Sequence, residues 1–207
     1  MELCLFLIAT GKESEPVREF SVDGMRRLVV HSPVEQGGQD PFLAAERAPR
    51  SMLQCYFEEL DALEAALAPH GALRDFADGG WRQQAMAVRR FPAAEHAGCS
   101  YVVGYDGPAK DFNGWLGHYL DHHTPLMARL PGVRGVEIYT RLDYRCELPI
   151  AAAAAMLRNK VVFNSPDALT AALSSPQRKE MREDFGRLPS FDGRVSHFPM
   201  LSRSLTC

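Results

Sequence analysis

The chain has 207 residues, a formal net charge of −3 and 46% hydrophobic residues. That composition excludes wholesale disorder. The near-neutral charge excludes a general nucleic-acid binder, which carries a basic face, and no apolar run reaches the roughly 18 residues that span a bilayer.

The opening MELCLFLIAT has no basic start and only a short apolar run, so it reads as a buried strand, Leu3–Ala9, rather than a signal peptide. Residues 10–24 hold Gly, Pro and polar residues and leave no room for an amphipathic helix. A strand follows at Arg27–His31, then an irregular Pro/Gly-containing loop at 33–50. Next come a strand at Met52–Phe57, a helix at Asp61–Ala68 and a strand at Met86–Phe91. The pairs Arg26-Arg27 and Arg89-Arg90 read as solvated strand ends.

The second half begins with a strand at Ser100–Tyr105 and a helix from Asp111 to about Leu130. After a strand at Gly135–Thr140, the run Ala151–Ala155 has the propensity for a short extra helix. A strand at Val161–Phe163 precedes a helix from Pro166 to about Phe185. Ser165 is its expected N-cap, with Pro166 in the first helical position. Arg194–Met200 is a final strand. The five cysteines are scattered, with no CxxC pair, which fits buried thiols in a reduced, cytoplasmic protein.

The two halves echo each other. DALEAAL at 61–67 answers DALTAAL at 167–173, and each follows a β-rich run. Val88-Arg89-Arg90-Phe91-Pro92 answers Val195-Ser196-His197-Phe198-Pro199. The order β-α-β-β-α-β in the second half is the ferredoxin-like motif. The expected fold is therefore α+β. Two tandem ferredoxin-like repeats, a degenerate one at 1–98 and a complete one at 99–207, would form a dimeric α/β-barrel-like arrangement within one chain. A homodimer is compatible with this but not required.

The helix DFNGWLGHYLDHHTP at 111–125 carries the candidate chemistry. At about 100° per residue, Phe112, Trp115, Leu116, Tyr119 and Leu120 form one apolar stripe. His123 falls on that stripe, four residues after Tyr119. Pro125 should kink or end the helix, and Thr124 before it should leave α geometry. A histidine at a helix break on a buried face can line a cavity and exchange protons near neutral pH. The competing reading is a core histidine whose nitrogens are satisfied. His118 and His122, four apart, with Asp111 on roughly the same face, could approach a divalent metal, but no HExxH is present and no metal is expected. Glu137, Tyr139 and Arg141 alternate along one strand and share a face. There is no dinucleotide fingerprint, P-loop, GxSxG or zinc-ribbon spacing.

The stretch FNGWLGHYLDHHTPLMARLPGVRGVEIYT resembles the EthD-like family, named for ethyl tert-butyl ether degradation, of the dimeric α/β-barrel superfamily. The matching residues are His123, Thr124, Pro125, Leu130, Pro131 and Gly132, and the resemblance covers about residues 99–203. It implies one pocket between helices and sheet, faced by His123. It leaves the reaction open, because relatives on this fold differ in chemistry. The expected function is a small-molecule enzyme without a bound cofactor. His123 would be its general acid/base, and Tyr119, Trp115, Tyr139 and His197 would contact a small organic substrate. The alternatives are a non-catalytic ligand-binding or accessory protein, and a haem- or metal-linked oxidoreductase.

Overall fold

The computed structural model describes residues 1–10, 20–38, 40–41, 47–77, 80–91 and 98–206. The expected loops at 10–24 and 33–50, and the Phe-Pro step at 91–92, lie partly outside these residues. In chain order the elements are β1 (Leu3–Ala9), β2 (Met25–Pro33), β3 (Met52–Phe57), α1 (Leu60–Ala66), β4 (Trp81–Phe91) and β5 (Cys99–Tyr105). They continue with α2 (Phe112–His118), a π-turn (Tyr119–His123), α3 (Thr124–Ala128), β6 (Gly135–Arg141), β7 (Ala151–Ala152) and β8 (Leu157–Phe163). The last are α4 (Pro166–Leu173), α5 (Pro176–Phe185) and β9 (Val195–Thr206).

The sheet corrects the expected fold class. Its order is β1-β3-β2-β9-β5-β8-β6-β4, and β4 pairs back with β1. This is one closed antiparallel barrel of eight strands, with few and short helices, and not a tandem pair of ferredoxin-like α/β repeats. Two seams close it. Strand β2 runs along β9 from Arg27↔Thr206 to Pro33↔Met200. Strand β4 runs along β6 from Met86↔Arg141 to Phe91↔Val136. Separate repeats would leave those backbone edges unpaired, whereas closure satisfies them.

Local differences have local causes. Ala151–Ala152 is not helical; it adds a short parallel pairing to Arg82 and Gln83 of β4. The expected helix at 166–185 is two helices, because Pro176 starts a new one after Ser174-Ser175. Ser165 does cap α4, accepting from the Ala168 amide at 3.2 Å.

Strand alternation divides the molecule into three cores. Leu3, Leu5 and Leu7 face one outer layer, beneath α1 and the segment through Leu148 and Ile150. Tyr101, Val103 and Tyr105 face another, beneath α2 to α5. Between them lies the barrel interior, which combines Phe6, Met52, Met86 and Met200 with a polar network. There the Lys160 ammonium meets Glu137 at 2.7 Å and donates to Gln54 and Tyr56 at 2.9 and 2.8 Å. Tyr56 donates to Glu137 at 2.6 Å, and Tyr139 donates to the same carboxylate. Arg27 and Arg90, from the two pairs expected as solvated strand ends, approach the other carboxylate oxygen at 3.4 and 3.1 Å. Burial alone would raise the Glu137 pKa, but Lys160 and Arg27 hold it well below the usual carboxylate range.

Removing one partner strands a buried charge, at a cost of about 3–5 kcal/mol. Glu137→Gln is therefore expected to destabilise the protein by that order in urea unfolding. The double variant Glu137→Leu with Lys160→Met should recover a large part of the loss.

Candidate active site

The site is built on the segment from α2 to α3. Asp111 caps α2 by accepting from the Gly114 amide at 3.0 Å. Trp115 and Tyr119 of the apolar stripe are fully buried, with stacked rings 5.0 Å apart, and both pack on Tyr105 of β5.

Pro125 does not end the helix. It has no N–H for the Asp121 carbonyl, and in a regular α-helix its ring would clash with that carbonyl. The turn widens instead. The Thr124 amide reaches back five residues to the Tyr119 carbonyl, and the Thr124 hydroxyl donates to the same oxygen at 2.9 Å. Thr124 itself stays helical, with φ −62° and ψ −44°. In a π-turn the bonding step is i to i+5, so residues five apart come onto one side. His118 and His123 are five apart.

Both imidazoles reach Asp184 of α5. Nδ1 of His123 lies 2.9 Å from Oδ2, and Nε2 of His118 lies 3.1 Å from Oδ1. Asp184 and His123 are buried, whereas the His118 side chain keeps 23% exposure. Burial lowers the His123 pKa from its ordinary value, and Asp184 only partly opposes this. Burial thus favours the uncharged ring. Accepting from Nδ1, the Asp184 carboxylate favours the tautomer with hydrogen there, which leaves the Nε2 lone pair unused by that contact.

His123 borders a cavity of about 630 Å³. Its floor is the outer face of the barrel, with Val103, Val161, Phe163 and Val195 among its side chains. Helices α3, α4 and α5 roof it with Met127, Leu169, Leu173, Met181 and Phe185. Polar groups are few. Asn159 donates to Tyr119 Oη at 2.5 Å, and its Oδ1 is buried with no hydrogen-bond partner among the described residues. Arg178 holds Asp40 at 2.6 and 2.8 Å, and Tyr101 donates to the same carboxylate oxygen at 3.3 Å.

The structure brings together only part of the expected set. His123 and His197 line the cavity, the latter beside Tyr101 with ring centroids 5.8 Å apart. Tyr119 stands behind Asn159 and holds it, and Trp115 lies deeper in the aromatic core. Tyr139 points into the barrel interior, on the opposite face of the sheet from His123. His118 is committed to Asp184 and Asp111 to a helix cap, so the two are used separately. Asp184 and Asn159 were missed. The signal for Asp184 was its place three residues after Met181, on the one buried face of a charged helix.

No family model matches the chain, and no curated protein matches its sequence. Solved structures do match. An anthrone oxidase-like protein aligns over 98% of this chain and 92% of its own, with 16% identity and a TM-score of 0.63. A candidate monooxygenase from Lactobacillus acidophilus aligns over 99% and 96%, with 11% identity and a TM-score of 0.58. A candidate monooxygenase from Fusobacterium nucleatum aligns over 99% and 94%, also at 11% and 0.58. An ethyl tert-butyl ether degradation family protein from Bacillus halodurans aligns over 48% of this chain and 96% of its own, with 18% identity and a TM-score of 0.37. At these identities the likeness is one of fold.

A group whose folded-state pKa is depressed weakens the fold as pH falls below its unfolded value, about 6.5 for histidine. Unfolding free energy should therefore decline as pH drops from about 6.5 through the lower folded-state pKa of His123. In His123→Gln this decline should flatten, as urea titrations at several pH values would show.

Proposed function

We propose that the chain is a small-molecule enzyme of the oxidase or monooxygenase kind, with His123 as general base. The observation that carries this reading is the buried imidazole, tied through Nδ1 to Asp184 and bordering a largely apolar cavity, where burial favours its uncharged form. A substrate O–H or activated C–H at Nε2 would give up its proton there. The imidazolium that forms keeps its Nδ1–H on the Asp184 carboxylate, which stabilises the new charge. The anion left behind is electron-rich, the form in which a hydroxyaromatic or enolic molecule reacts with dioxygen.

The apolar walls favour a substrate that is mostly hydrocarbon, anchored at a few polar points. The fold of the anthrone oxidase-like protein supports choosing a tricyclic ketone of that type as the first probe. Asn159 and His197, both on the cavity wall, would orient the substrate oxygens.

Oxygen uptake with anthrone as probe tests the reading. His123→Ala is expected to lower kcat by about 10²–10⁴-fold, the range of a general base, with the fold retained. The kcat/KM of the wild type should fall as pH drops through the depressed His123 pKa, because the protonated ring cannot accept. Full turnover in His123→Ala would remove the reading. Tight binding of anthrone by the wild type without turnover would favour a carrier.

A further inference from the structure

We propose that His118 is a positioning residue for His123, acting through Asp184 as the outer member of a His118–Asp184–His123 triad. This rests on the reading of His123 as general base. The geometry carries it. Asp184 uses one carboxylate oxygen for each histidine, at 3.1 and 2.9 Å. A carboxylate held at one oxygen only can rotate about its last bond. A second donor on the other oxygen fixes the plane of the group, and with it the direction in which His123 is held.

The arrangement also depends on the π-turn. At α-helical spacing, residues five apart point about 140° away from each other, and no single carboxylate could serve both. The widened turn at Tyr119–His123 lines them up. The charged and titratable groups facing this cluster are His122, whose ring is 4.7 Å from that of His118, Arg178 and Arg182 on α5, His197 on β9, and Tyr105 on β5. His122 is exposed and shares no bond with Asp184 among the described contacts. His118 is therefore the group that joins the buried dyad to the solvent-facing side of the helix.

The roles differ. His123 meets the substrate, whereas His118 does not border the cavity. Loss of His118 should leave binding intact and disturb the tautomer and basicity of His123. It removes a neighbour that holds the His123 pKa down, and it leaves the Asp184 carboxylate with one donor fewer. Both effects make His123 easier to protonate.

The test needs no substrate. In protein with nitrogen-15-labelled histidine, the imidazole shifts report the tautomer and titration of His123. In the wild type His123 is expected as the Nδ1–H tautomer. In His118→Phe it should become a mixture of tautomers, with the titration midpoint moved upward. His118→Gln, whose amide can donate from nearly the same place as Nε2, should restore the single tautomer. In an Asp184→Asn background, His118→Phe should add no further change. An unchanged His123 in His118→Phe would overturn the proposal, as would failure of His118→Gln to restore the tautomer. If His118→Phe does not fold, the His118→Gln and Asp184→Asn spectra decide: a mixed tautomer in the former, or a single Nδ1–H tautomer kept in the latter, overturns the proposal. Turnover of anthrone by His123→Ala tests the general-base reading separately, so each can fail without the other.

Discussion

A single buried carboxylate, Asp184, holds two imidazoles, and the site follows from that contact. Without it the His123 ring would be a polar group in an apolar wall with no fixed orientation. With it, one nitrogen is spent on the protein and the ring borders the cavity. The contact depends in turn on a backbone constraint. Pro125 cannot donate to the turn before it, the helix widens by one residue, and His118 and His123 arrive on the same side. The α5 helix supplies the acid because Met181, three residues before it, is buried and anchors the inner face over the cavity.

The barrel makes the floor of this site rigid. Strands β5, β8 and β9 present one face to the cavity and the other to the interior. On β8, Asn159 and Val161 face the cavity while Lys160, between them, is locked to Glu137, Gln54 and Tyr56. Movement of that strand would break a buried ion pair, so the interior network fixes Asn159 as well. Tyr139, which the sequence offered as a substrate contact, belongs to this inner network and serves the site only through the sheet.

Much of this was legible in the residues. The strands at Leu3–Ala9 and Met52–Phe57 coincide with their apolar β-rich runs, and the Ser165 cap follows from its Ser-Pro step. The stripe that placed His123 on a buried face also held, because Trp115 and Tyr119 pack as their spacing requires. What failed was whatever depends on partners distant in the chain. Closure of the sheet rests on β2 meeting β9 and β4 meeting β6, and no local pattern in β2 or β4 names its partner. Pro125 was expected to kink or end the helix, its usual effects. A π-turn is the rarer response, and here the Thr124 hydroxyl supports it. The face of Glu137 and Tyr139 could not be assigned from alternation alone, since both faces of the barrel wall are buried.

The measurement that tests the central claim most directly is a crystal structure of the protein soaked with anthrone. The account predicts the rings between Val103, Val161 and the inner face of α5, with an oxygen or the acidic carbon next to Nε2 of His123. It also predicts Asp184 in place on Nδ1. Anthrone bound away from this cavity, or a His123 ring with both nitrogens bonded to protein and the space around it filled, would contradict the account.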